Sequence, residues 1–228
     1  MSVQFCCLAK NFSELNPVVP SFVCCTPRLA SMQNQVMNAQ VLLAGESELV
    51  ATALLNAGAR KVFLGEIALF DSTVVTRLVH QFGTERIGLQ VPVQRQSVSW
   101  SFETVSNEDF NVVTPSLCEP VWEVLKANGE SSSVRAAGWI DAMLQHGVST
   151  VLLRADISDD ADLNLCAGLV ESLGNRLWVA PLNDPQPPIA DWVAFGQVRQ
   201  LALPAALYHR RHALVPREAA GGKTVLTV

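Results

Sequence analysis

The sequence predicts an α/β protein whose parallel strands close into a (β/α)8, or TIM, barrel, and three observations carry that prediction. Eight short β-branched or apolar runs recur along the 228 residues. Helical patterns fill most of the gaps between them. The stretch Leu54–Asp71, LLNAGARKVFLGEIALFD, shows the repeating unit whole: a helical pattern ends in Ala-Gly, KVFLG forms a strand apolar on both faces, and Glu66 to Phe70 starts the next helix. Right-handed crossovers between parallel strands close such a sheet when every helix falls outside. An open doubly wound sheet is the alternative.

In chain order, the predicted strands are Val3–Leu8, Val19–Cys25, Ala39–Ala44, Lys61–Gly65, Arg86–Val93, Val148–Arg154, Arg176–Ala180 and Val198–Leu203. Helical periodicity covers Pro27–Met37, Ser47–Asn56, Ser72–Gln81, Ser132–His146, Leu163–Leu173 and a short piece in Ile189–Phe195. The first units are irregular. The segment between the first two strands, with Pro17 and Pro20, is too short for a full crossover helix. After the fifth strand, residues 94–131 form an excursion, with a hairpin predicted through Val98–Phe102 and a short helix, VWEVLKANG, that stops at Gly129. Its apolar residues Phe110, Val112, Val113, Leu117, Val121, Trp122 and Leu125 are too many for a solvated loop. The segment is expected to fold over the barrel mouth, with Trp122 as an exposed anchor for a partner. Residues 218–228, containing AAGG, read as a flexible tail.

Composition supports one barrel domain spanning residues 1–228. The chain is 49% hydrophobic and 16% charged, enough for a large core and too apolar for disorder. A net charge of −5 without a basic run argues against nucleic acid and anionic membrane as partners. No apolar run reaches the roughly 18 residues of a membrane span, and no leader pattern opens the sequence, so a soluble cytoplasmic protein is expected. The six cysteines include the adjacent pairs Cys6-Cys7 and Cys24-Cys25, whose side chains point to opposite faces of a strand. They read as small buried hydrophobes rather than a disulfide framework or a zinc site, and neither metal nor cofactor is expected.

Several stretches resemble one family. LLNAGARKVFLGEIAL, RIGLQVPVQRQSVSWSFE, VSTVLLRADISDDADLNL and LALPAALY are similar to the fourth, fifth, sixth and eighth strand units of the ribotide isomerase (ProFAR isomerase) and cyclase barrels of histidine biosynthesis. The resemblance covers roughly Gln40 to Tyr208. It implies a (β/α)8 barrel that opens a ribose ring with one aspartate on the first strand and one on the fifth, and grips two phosphates on glycine-rich loops. Carried over to this sequence, Ala9 and Pro92 stand at the aspartate positions, and Ala155 at the threonine before Asp156-Ile157-Ser158. Leu43-Ala44-Gly45, Pro181-Leu182-Asn183 and Pro204-Ala205 replace the glycine-bearing runs, so only Gly65 keeps its glycine. Neither alanine nor proline titrates, and proline offers no N–H to an anion.

Chemistry in such barrels sits at the C-terminal ends of the strands. The polar residues there are Lys10, Glu46, Glu66, Gln94, Arg95, Arg154, Asp156, Ser158, Asn183 and Asp184. Asp156 and Glu66 are the best catalytic candidates, and Gly65, Arg154, Ser158 and Asn183 the candidate ligand contacts. Each has a plainer reading: Glu66 caps a helix, Asp156 caps a polar loop, and Arg154 pairs inside its strand. The expected function is therefore a divergent, non-catalytic or re-purposed homologue of the isomerase, acting through a protein partner or as a homo-oligomer within an assembly. The alternative is an isomerase or related enzyme on a small phosphorylated sugar or ribotide, with Asp156 and Glu66 as a substituted acid-base pair and a small-molecule ligand in the mouth. From the resemblance alone comes a third, a role in pterin-linked one-carbon metabolism. An open polar mouth, or one plugged by residues 110–129, separates the first two.

Overall fold

The computed structural model describes residues 3–14, 19–25, 36–96, 104–107, 110–113 and 120–215, with backbone alone at 104–107 and 110–113. Eight parallel strands close into a barrel: β1 (Gln4–Ala9), β2 (Ser21–Cys24), β3 (Gln40–Leu42), β4 (Lys61–Leu64), β5 (Ile87–Arg95), β10 (Thr150–Arg154), β11 (Leu177–Ala180) and β12 (Gln200–Pro204). Closure is double: β12 pairs with β1, Cys6 lying beside Ala202, and β5 pairs with β10, Val91 beside Leu153. All eight predicted strands are present within two residues at either end. Helices α1 (Glu48–Asn56), α2 (Glu66–Phe70), α3 (Thr73–Phe82), α4 (Ala136–Gln145), α5 (Asp160–Leu173), α6 (Ile189–Ala194), α7 (Ala205–His209) and α8 (Arg211–Leu214) lie between or after strands. The predicted helix over Pro27–Met37 and the tail over 218–228 fall outside the described residues, apart from Val36 and Met37.

Strand alternation sorts the apolar residues into two clusters. Cys6, Leu8, Phe22, Leu42, Phe63, Leu152, Ala180 and Ala202 fill the barrel axis, and Cys24 and Trp178 pack against them. Cys7, Ala9, Val23, Val41, Val62, Leu89, Val91, Val151, Leu153, Val179 and Leu201 face outward into the helix layer. Within the axis Phe22 stands edge-on to Phe63 (centroids 5.1 Å) and to Trp178 (5.6 Å). Gly88 makes room for this stack, since a Cβ there would lie 2.6 Å from the Phe63 ring.

Beyond the barrel the structure corrects the sequence reading. VWEVLKANG is not a helix: Trp122–Leu125 is strand β8, antiparallel to the far half of β5, with Arg95 beside Trp122 and Val93 beside Val124. Gly129, at φ +85°, helps turn the chain through Lys126–Glu130 into β9 (Ser131–Arg135). The helix predicted from Ser132 therefore starts only at Ala136. The two-residue Asn-Gly signal that ends helices also makes hairpin turns, and here the hairpin wins. A further hairpin joins β6 (Thr104–Asn107) to β7 (Phe110–Val113), while the hairpin predicted at Val98–Phe102 lies outside the described residues. Trp122 is 5% exposed, not an exposed anchor. Among the described residues no helix is long and apolar enough to cross a membrane.

Candidate functional site

At the C-terminal ends of β5, β10 and β11 lies a cavity of about 760 Å³. The β8–β9 hairpin forms one wall of it, through Trp122, Leu125, Ala127 and Gly129, while the side chains of 110–113 and all of 114–119, the rest of the segment expected over the mouth, lie outside the described residues. The strands supply Gln90, Pro92, Gln94 and Arg95 from β5 and Arg154 from β10, and the following loops add Asp156, Ser158, Asp159, Leu182 and Asn183. The inward phase of β5 runs Gly88, Gln90, Pro92, Gln94, because Leu89, Val91 and Val93 belong to the outer layer.

The carboxylates here are engaged. Asp156 Oδ1 accepts the backbone N–H of Leu182 (2.9 Å), Asn183 (2.9 Å) and Asp184 (3.0 Å), and Oδ2 takes a second contact from Asn183 at 3.2 Å. Three successive amides converging on one anion form a nest, and the protein's own side chain occupies it. Asp159 caps α5 by accepting the Asp162 N–H at 3.0 Å and also pairs with Arg95 Nη2. The Arg95 guanidinium holds the Asp159 carboxyl below its ordinary value. Asp162 is 4% exposed and is satisfied by Arg95 Nη2 at 2.7 Å and Trp122 Nε1 at 3.0 Å.

Two groups are not engaged in this way. Arg154 follows the axis-facing Leu152 by two residues on β10 and donates from Nη2 to the Leu182 carbonyl at 3.2 Å. Its Nε is buried without a hydrogen-bond partner, and among the described residues no carboxylate pairs with it. Gln90 is 4% exposed, and its Oε1 is likewise buried and without a partner. Both residues line the cavity.

No family model matches this chain. No curated protein matches it either.

The sequence-derived candidates divide. Arg154, Asp156, Ser158, Asn183, Gln94 and Arg95 share the mouth cavity. Glu66 does not line that cavity: it lines a pocket of about 480 Å³ with Glu46, Phe70 and Arg77. Gly65 serves the backbone, since a Cβ there would fall 2.4 Å from the Leu43 carbonyl oxygen and 2.6 Å from that of Ala44. Lys10 donates its backbone N–H to Glu14 at 2.9 Å and lies outside the cavity. Of the two positions matched to the isomerase aspartates, Pro92 does face the mouth, but Ala9 turns outward into the helix layer. The axis-facing residue beside it is Leu8. Sequence reasoning missed Gln90, whose signal was a polar residue at an inward position of the apolar run IGLQVPV. It also missed Asp162, hidden in a stretch that reads as a solvated helix start.

At the opposite end of the barrel a second cavity, about 710 Å³, is lined by Arg60, Lys61, Glu85, Arg86 and Trp178 among others. Lys61 Nζ donates there to Ser149 Oγ (2.9 Å) and Thr150 Oγ1 (2.6 Å), and burial lowers its pKa. Among the described residues no group of histidine, cysteine, aspartate and glutamate is placed to hold a metal ion.

Proposed function

We propose that this protein is a divergent (β/α)8 barrel of the ribotide isomerase type, irregular in its first units and with an insertion after the fifth strand, that binds a small molecule in its mouth without transforming it. The observation that carries the reading is the engagement of Asp156. A general acid or base must reach the proton it moves, and this carboxylate is bound by three backbone N–H groups. Asp159 and Asp162 are taken up by Arg95 and Trp122. The cavity is nevertheless lined with polar groups among the described residues, which supports a small-molecule ligand. Catalysis on a phosphorylated sugar finds less support, because the amides that would grip a phosphate at the end of β11 are filled from within.

A second reading, assembly with a protein partner or another copy in the cytoplasm, is favoured by Leu49 and Phe70. They are 81% and 72% exposed and line the same shallow pocket between α1 and α2. The binding reading is tested by incubating the purified protein with a metabolite extract and profiling bound and free compounds by mass spectrometry. The expected result is enrichment of a small molecule whose total amount stays constant. Conversion of a compound by the wild type but not by Asp156→Ala would overturn it.

A further inference from the structure

We propose that the cavity at the N-terminal end of the barrel is a binding site in its own right, one that takes the phosphate monoester of a ring-bearing alcohol, with the phosphate held by Lys61, Arg60 and Arg86 and the ring lying against Trp178. The site is separate from the mouth and goes beyond the binding reading above.

Strand alternation builds it. Leu42, Phe63 and Leu152 fill the axis, and two residues earlier on the same strands stand Gln40, Lys61 and Thr150. Residues two apart share a face of a strand, so a polar layer lies beneath the aromatic stack, at the end of a barrel that ordinarily serves stability alone. All three line the cavity together with Trp178. Lys61 reaches from β4 past β5 to the start of β10, where the hydroxyls of Ser149 and Thr150 accept two of its N–H groups.

The charges there do not balance. Arg60, Lys61 and Arg86 line the cavity, and Glu85 is the only carboxylate lining it among the described residues. Arg86 Nη2 donates to the carbonyls of Leu55 and Ala59 at the end of α1, 2.7 Å each, which brings no formal charge. With Glu85 counted in full and that helix end taken as about half a negative charge, roughly one and a half positive charges remain unmatched. This is the reverse of the chain as a whole, whose net charge is −5. Among the described residues no carboxylate pairs with any of the three cations. The Lys61 ammonium is bonded only to neutral hydroxyls, and its burial outweighs the pull of Glu85. Arg60 is exposed, and Lys61 and Arg86 are half-buried, so a ligand can reach them.

Charge and shape together name the class. A phosphate monoester carries about 1.5 to 2 negative charges at neutral pH and offers three acceptor oxygens, which matches the excess. Arg60 and Lys61 are adjacent at the start of β4, and Arg86 directly precedes the neighbouring β5, so the cations share one wall. One compact dianion meets them better than a dicarboxylate, whose two charges are held apart. Trp178 on β11 and Phe5 on β1 each stand three strands from β4 around the closed sheet, which sets aromatic faces across from the cations. The cavity, about 710 Å³, is far larger than a bare phosphate and leaves that wall for a ring.

Phenyl phosphate is the probe. Inorganic phosphate lacks its ring, benzenesulfonate one of its charges, and phenol both, while succinate separates the two charges. The readout is the Lys61 side-chain resonance in protein labelled with 13C-lysine, one of four lysines in the chain, assigned by its loss in Lys61→Met or Lys61→Arg. At pH 8 phenyl phosphate is expected to shift this resonance saturably and phenol to leave it in place. Benzenesulfonate and succinate should bind at least about tenfold more weakly, the effect of losing one charge-assisted hydrogen bond. Inorganic phosphate should bind about threefold or more weakly, and Trp178→Leu should erase that difference. Arg60→Met should weaken phenyl phosphate and Glu85→Gln should tighten it. Both changes are at exposed positions, so they decide the matter if Trp178→Leu fails to fold. An unmoved Lys61 resonance, benzenesulfonate or succinate binding as tightly as phenyl phosphate, or affinity indifferent to both Arg60→Met and Glu85→Gln would each overturn the proposal. Inorganic phosphate binding as tightly as the ester would overturn it too, and make the free anion the ligand.

Discussion

Trp122 donates its indole N–H to the Asp162 carboxylate at 3.0 Å, joining the added β8–β9 hairpin to the first turn of α5. Arg95 completes the cluster from the end of β5, so three separate elements converge on one nearly buried carboxylate. Asp162→Asn should cost about 2–3 kcal/mol, less than a fully buried pair because Arg95 is about a third exposed. Trp122→Phe should cost about 1–3 kcal/mol by orphaning an acceptor while leaving most of the apolar contact. A double-mutant cycle in urea checks the connection: the two changes should fall well short of additive, and full additivity would show the indole contact to be incidental.

Asp156→Ala should lower stability by about 1–2 kcal/mol, since the amides of Leu182, Asn183 and Asp184 return to water at an exposed site rather than being stranded. The vacated nest should also gain the ability to hold an external anion. Thermal melts of the variant in phosphate and in chloride at equal ionic strength would show it. Phosphate should raise its melting temperature by more than that of the wild type.

Two glycines should respond in opposite ways. Gly65→Ala drives a Cβ into the carbonyl oxygens of Leu43 and Ala44 and should cost more than about 2 kcal/mol, because both obstacles are backbone. Gly138 sits inside α4 with nothing near its would-be Cβ. Gly138→Ala should therefore stabilise by about 0.5–1 kcal/mol. Chemical denaturation of both variants suffices, and a neutral Gly65→Ala would refute the close approach.

Stability should fall at alkaline pH. Burial pushes the thiols of Cys6 and Cys166 up to about 12. Each is an acid whose folded pKa exceeds the unfolded value of roughly 8.5, so above that pH the unfolded chain releases a proton that the folded chain retains. The stabilisation is complete below pH 8.5 and declines by about 1.4 kcal/mol per pH unit per thiol as pH climbs toward 12. Cys166→Ala should flatten the slope of unfolding free energy between pH 8.5 and 10. An unchanged slope would mean that this thiol ionises in the folded protein.

All eight barrel strands were legible because burial on both faces leaves a short run of apolar residues in each. Trp122–Leu125 was misread for a physical reason. Val121, Trp122 and Leu125 sit at spacings that a helix also uses, and Asn128-Gly129 ends helices as readily as it turns hairpins. Pairing with β5 settled the matter, and that contact is invisible in a local pattern. At the site, Arg154 and Asp156 stood out as charges at the end of a strand. Gln90 did not, since what sets it apart is a buried Oε1 without a hydrogen-bond partner, and that needs the surrounding atoms. Glu66 and Asp156 both follow strands and look alike in the sequence, and they are told apart, along different pockets, only once the surrounding side chains are placed.

The pairing of β1 with β12 has a consequence for how the chain is made. A ribosome delivers β1 well before β12, so until β12 follows the earlier strand has an open hydrogen-bonding edge and no partner on that side. The axis residues Cys6, Leu8 and Phe22 then lack the wall that Ala180 and Ala202 later provide. A nascent chain in that condition is a target for holding chaperones and for edge-to-edge association. Its vulnerability ends only when β12 leaves the exit tunnel, so yield in cells should depend on how quickly the stretch from β1 to β12 is translated as well as on the stability of the finished barrel.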